Sequence, residues 1–88
     1  MHQNYPNPFN PTTTINYDLP DNAHVSLAIY DLMGKKVITL IDEPKTAGRR
    51  SVQWNATNNE GQSVSAGVYF YSIEAGDFRQ TKKIILLK

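Results

Sequence analysis

The sequence predicts an all-β fold, a small antiparallel immunoglobulin-like β-sandwich of about seven strands. Three observations carry this expectation. Apolar and polar residues alternate with period two along most of the chain, and helical periodicity is nearly absent. Turn-forming clusters such as Pro20-Asp21-Asn22, Asp31 to Gly34 and Ala75-Gly76-Asp77 recur at sandwich-like spacing. The 88 residues allow one domain with one modest core, since about 60–65% of the unfolded surface can be buried at that length.

The elements follow in order. Residues 1–11 are expected as a Pro/Asn-rich extended lead-in, and 12–88 as the sandwich domain. Pro6, Pro8 and Pro11 fix their own φ and push Tyr5, Asn7 and Asn10 out of the helical region. The segment is therefore stiff. It is either a docking element or a structural cover, with Phe9 over an open end of the core, and the structural role is the expectation. Ile15, Tyr17 and Leu19 then mark one face of a strand from Thr12 to Leu19. Val25, Leu27 and Ile29 mark a second strand, which ends at the turn containing Gly34. Lys36 to Ile41 forms a third, and Glu43-Pro44-Lys45 is expected as a polar turn.

Ala47-Gly48 leads into a fourth strand, with Arg50, Val52 and Trp54 on one face. Asn55 to Ser63 is a polar loop, followed by a short seventh strand around Val64. Gly67 opens a strongly β-prone strand, Val68 to Glu74, and Phe78 to Leu87 closes the chain. With no cysteine, no disulfide pins the two layers. Trp54 with Tyr17, Tyr69 and Tyr71 is expected to fill that volume.

Residues suited to catalysis are scarce. His2 lies next to an artificial-looking start, and His24 follows a turn with no indicated nucleophile or orienting carboxylate. The carboxylates are scattered singly apart from Asp42-Glu43, whose side chains point apart on an extended segment. Asn55, Asn58, Asn59 and Glu60 are weak metal candidates, because hard cations prefer oxygen ligands. The spacing fits no calcium loop, and Asx hydrogen bonds within the turn are the expected use of these residues. A net charge of +1 with no aromatic platform beside Lys35-Lys36 or Arg49-Arg50 argues against nucleic acid. No stretch is long enough for a membrane-spanning helix.

The final strand departs from the pattern. Ile84 and Leu86 share one face, while Ile85 and Leu87 share the other, so both faces are apolar at its end. Either the strand is covered on both sides, or its end is kept for a partner that adds a strand. Lys82, Lys83 and Lys88 have the character of charges that blunt an exposed edge. The same doubly apolar end also allows self-association.

Gln3-Asn4-Tyr5-Pro6-Asn7-Pro8-Phe9-Asn10-Pro11-Thr12-Thr13 at the start and Thr81-Lys82-Lys83-Ile84-Ile85-Leu86-Leu87-Lys88 at the close together resemble one family. It is the type A C-terminal sorting domain of type IX secretion cargo. Ile29 to Val37, Ala47-Gly48 with Trp54 six residues on, and Gly67-Val68-Tyr69-Phe70-Tyr71 are similar to its internal motifs. The resemblance spans Gln3 to Lys88. It implies the same sandwich, no enzymatic activity, no cofactor, and an excised C-terminal piece of a larger protein whose Met1 is artificial.

The function the resemblance implies is an address that directs upstream cargo domains of the same parent chain through the outer membrane. Its implied partners are the outer-membrane translocon or shuttle and a sortase-like peptidase that removes the domain and anchors the cargo on surface lipopolysaccharide. The implied location is the periplasm in transit, then the outer-membrane surface or the exterior. Lys82, Lys83, Ile85, Leu87 and Lys88 become the expected recognition residues. Pro8, Phe9, Pro11, Gly34, Gly48, Trp54, Gly67, Tyr69 and Tyr71 become structural. The alternative is a non-catalytic accessory module. That would be a carbohydrate-binding sandwich or a scaffold domain like that of flagellar-hook capping proteins, and it requires an exposed aromatic platform or a concave sheet face.

Overall fold

A computed structural model of the chain describes residues 12–87. The lead-in, with Pro8, Phe9 and Pro11, lies outside the described residues, as do the chain's first two residues and Lys88. Alternation along the sequence becomes six strands: β1 (Thr13–Leu19), β2 (Ala23–Tyr30), β3 (Lys36–Lys45), β4 (Gly48–Trp54), β5 (Gly67–Ala75) and β6 (Phe78–Leu86). They form two antiparallel sheets, one in the order β1-β4 and one in the order β3-β2-β5-β6.

The apolar faces of the sheets meet in one core. Ile15, Tyr17 and Leu19 of β1 and Trp54 of β4 pack against Val25, Leu27, Ile29, Ile41, Tyr69, Ile73, Ile84 and Leu86. Trp54 is fully buried. Its ring meets Tyr69 of the opposite sheet edge to face, at a centroid distance of 5.2 Å. Both polar tips are satisfied, since Trp54 Nε1 donates to the Thr57 carbonyl at 2.9 Å and the Tyr69 hydroxyl to the Ser65 carbonyl at 2.6 Å. The aromatic pair therefore spans the two layers, while Tyr71 is only partly buried against the core.

Two expectations are corrected. The described residues hold six strands, not about seven. The stretch around Val64 is a loop closed by one Thr57–Ser63 bridge and by Val64 N–H donating to the Ala56 carbonyl at 2.9 Å. The polar turn expected at Glu43-Pro44-Lys45 is instead the continuation of β3, with Pro44 opposite His24. β3 is the outer strand of its sheet, where an absent N–H on the open side costs no ladder bond.

The six-strand count sets the polarity of the molecule. Thr13 pairs with Trp54, Trp54 packs on Tyr69, and Tyr69 pairs with Ile84. The start of β1 and the end of β6 therefore lie at the same end of the sandwich. Gly48 and Gly67, at the starts of β4 and β5, have φ of +130° and +150°, a region open to glycine and strained for other residues.

Candidate functional site: the open edge of the last strand

Among the described residues, β6 has one hydrogen-bonded neighbour, β5, in unbroken register from Gly67–Leu86 to Ala75–Phe78, and its other side is a sheet edge. Alternation along β6 splits its apolar end between two environments. Ile84 and Leu86 turn into the core, whereas Ile85 is 59% and Leu87 75% exposed. Of the residues singled out for recognition, Lys82, Lys83, Ile85 and Leu87 are thus all on accessible surface.

The lysines straddle the edge. Lys82 is on the core-side face and Lys83 on the outer face, where it stands across from Phe70. Neither has an ion-pair partner among the described residues, whereas Arg79 on the same strand is held by Glu74 at 2.6 Å. On the core side of the edge runs a groove of about 660 Å³, lined among others by Asp18 and Leu19 of β1, Pro20 just beyond it, Arg49 of β4, and Phe78 and Lys82 of β6. On the outer side is a shallower depression of about 430 Å³, lined among others by Tyr30, Leu32, Phe70, Ser72 and Thr81.

The outer face adds residues that sequence reasoning did not single out. Val68 stands opposite Ile85, and Phe70 lies between Tyr30 and Lys83. The β2–β3 turn beyond Tyr30 exposes Leu32 and Met33. Its form is fixed by the Asp31 carboxylate, which accepts from Met33 N–H and Lys35 N–H at 2.9 Å each, with Gly34 N–H closing onto the Asp31 carbonyl. The unbroken apolar run from Val68 to Tyr71 was the available signal, because a run without polar gaps leaves apolar groups on both faces of a strand.

The remaining candidates are engaged locally. Asn58 Oδ1 accepts from Glu60 N–H and Gln62 N–H at 2.9 and 3.0 Å, and Asn55 Oδ1 accepts from the Thr57 hydroxyl at 2.6 Å. Asn59 donates its N–H to the Val37 carbonyl and accepts from Thr39 N–H, which ties the loop to β3. Glu60, also a weak metal candidate, is exposed, and among the described residues no group of three or more His, Cys, Asp and Glu is placed to hold a metal. His24 Nε2 meets Asp42 Oδ1 at 2.6 Å on open surface. The Lys45 ammonium beside Glu43, at 2.8 Å, holds that carboxyl below its usual range. Burial, with a contribution from Asp31, pushes the Tyr69 hydroxyl above its usual value.

These features define a sandwich whose closing strand turns one face into its own core and the other to solvent, with no further strand on its outer edge among the described residues. The chain matches the family model described as the secretion system C-terminal sorting domain over residues 3–87, and it belongs to that family. It is a C-terminal sorting signal of type IX secretion, and the family is one of sorting signals, not of catalysts. Such cargo is carried across the outer membrane to the cell surface or the exterior.

No curated protein matches the chain. Among solved structures, FlgD from P. aeruginosa is similar with a TM-score of 0.68 and 22% identity, over 82% of this chain and 57% of that one. At that identity the likeness concerns the fold, and the chain spans little more than half of that protein's length. The accessory-module alternative gains no support from either comparison.

Proposed function

We propose that the folded domain is itself the export address, read in the periplasm by the outer-membrane translocon or its shuttle through the closing strand. Lys82, Lys83, Ile85 and Leu87 form the recognition surface, joined by Lys88, which lies outside the described residues. A sortase-like peptidase then cuts upstream of the domain, and the released cargo is anchored on surface lipopolysaccharide. The domain is the substrate of these steps and catalyses none of them.

The observation that carries the proposal is the exposure of Ile85 and Leu87 beside the buried Ile84 and Leu86 on a strand whose outer edge pairs with no other strand among the described residues. An exposed apolar edge is an aggregation hazard that a chain keeps at a cost, so its retention favours a binding role. The start of β1 and the end of β6 lie at the same end of the sandwich, so the parent chain joins the folded strands at the end where the closing strand finishes.

The test fuses residues 3–88 to a periplasmic reporter in a host with this secretion system. The expected result is reporter on the cell surface. Reporter that stays in the periplasm with its domain folded overturns the proposal.

A further inference from the structure

The two edges of the four-stranded sheet are treated differently. At β3, the ladder to β2 breaks twice, between Leu27 and Ala28 and between Ile29 and Tyr30, leaving Leu40 and Val37 without ladder partners. Pro44 removes a donor from the same strand, and the Asn58–Gln62 loop binds Val37 and Thr39 through Asn59. Bulges, proline and a covering loop are the devices that prevent an edge from accepting a further strand. β6 has none of them among the described residues. Its nine residues keep unbroken register with β5, contain no proline, and leave alternate N–H and C=O groups directed away from β5, with no strand paired to them among the described residues.

The charges at this edge select what can be added. β6 carries Arg79, Lys82 and Lys83 and no carboxylate. Arg79 is neutralised by Glu74, whereas Lys82 and Lys83 are unpaired among the described residues and occupy opposite faces of the strand. Antiparallel self-pairing of two β6 strands centred on Lys82 and Lys83 would bring these cations together. In an added strand, neighbouring residues also point to opposite faces, so two adjacent carboxylates would meet the two lysines, one on each side. Beyond them, toward the end of β6, the outer face offers Ile85 and Val68 to an apolar side chain.

We propose that the β6 edge is a strand-addition site for an acidic, apolar extended segment of a protein partner, with an adjacent pair of carboxylates set against Lys82 and Lys83. This rests on the reading of the closing strand as the recognition surface and specifies how it is read. Main-chain hydrogen bonds supply the affinity, and the two lysines set the register. The other sheet also has open edges, but its charges differ. β1 carries Asp18, which repels a carboxylate, while on β4 Arg49 faces Asp18 and Arg50 is bonded to Thr46.

The experiment uses the 88-residue chain, isotopically labelled, with a short Val/Thr peptide bearing a central Asp-Glu pair. Controls are the matching Lys-Lys peptide and the acidic peptide N-methylated at alternate bonds, which keeps its charge but loses its strand hydrogen bonds. The acidic peptide is expected to slow exchange of alternate β6 amides, and both controls are expected to fail. Lys82→Glu/Lys83→Glu, which alters only exposed side chains, should lower affinity for the acidic peptide by about fivefold or more at low salt and reverse the preference toward the Lys-Lys peptide. Equal binding of the N-methylated peptide, protection that falls on β1 or β4, or no binding at all overturns strand addition. Run beside the reporter export assay, the two readings separate. Surface reporter without peptide protection removes only the strand-addition mode, whereas failure of the unaltered domain to export its reporter removes the sorting role beneath it.

Discussion

Ile84 and Ile85 are the same residue type at consecutive positions on one strand, 9% and 59% exposed respectively. Replacing each with alanine therefore isolates environment from chemistry. Truncating a core isoleucine costs about 2–5 kcal/mol, and Ile84, on an edge strand, belongs in the lower half of that range, at about 2–3 kcal/mol. Full burial of such a side chain stabilises by about 1.5–3 kcal/mol, so Ile85, less than half buried, loses about 1 kcal/mol. For a domain of this size each kcal/mol moves Tm by about 4–8 °C, giving a drop of about 8–24 °C for Ile84→Ala and about 4–8 °C for Ile85→Ala. Trp54 is the single tryptophan and is fully buried, so its fluorescence reports the unfolding directly in a thermal melt. Equal destabilisation by the two variants, or a larger loss at Ile85, would mean that the inward and outward faces of β6 have been assigned the wrong way round.

Trp54→Phe removes the donor to the Thr57 carbonyl and part of the indole volume, and should cost about 2–3 kcal/mol by denaturant unfolding. Tyr69 has its pKa raised by burial, so its share of stability is complete below the ordinary value of 10.0 and is lost as pH rises through the raised value. Tyr69→Phe should cost about 1 kcal/mol at neutral pH through the lost bond to Ser65, and should flatten the fall in stability above that pH. Gly48→Ala meets no atom within 4 Å, yet φ of +130° should make it cost about 1–3 kcal/mol from backbone strain alone, measured by the same unfolding.

Much of the fold was legible because side-chain alternation is a local property. The inward set Ile15, Tyr17, Leu19, Val25, Leu27 and Ile29 follows from period two alone, and all six are buried. What depends on long-range pairing was not legible. Whether Glu43-Pro44-Lys45 turns or continues is decided by β3 lying at a sheet edge, which no local pattern encodes. Val64 carries strand-like chemistry, but a single bridge replaces the strand there. At the candidate site, the two apolar faces of the final strand stood out in the sequence, while the contrast between a bulged β3 edge and a regular β6 edge needed the register. Removing the last five residues would also delete the buried Ile84 and Leu86, so face-selective substitutions separate recognition from folding where truncation cannot.

The most direct measurement is the surface-exposed fraction of a reporter carrying residues 3–88 with Ile85→Ser and Leu87→Ser together, in a host that exports the unaltered fusion. Both side chains point to solvent, so the variant domain should stay folded, as its own melt will verify. The expected outcome is reporter held in the periplasm. A folded variant that reaches the surface as efficiently as its parent contradicts the assignment of the closing strand as the surface that export machinery grips.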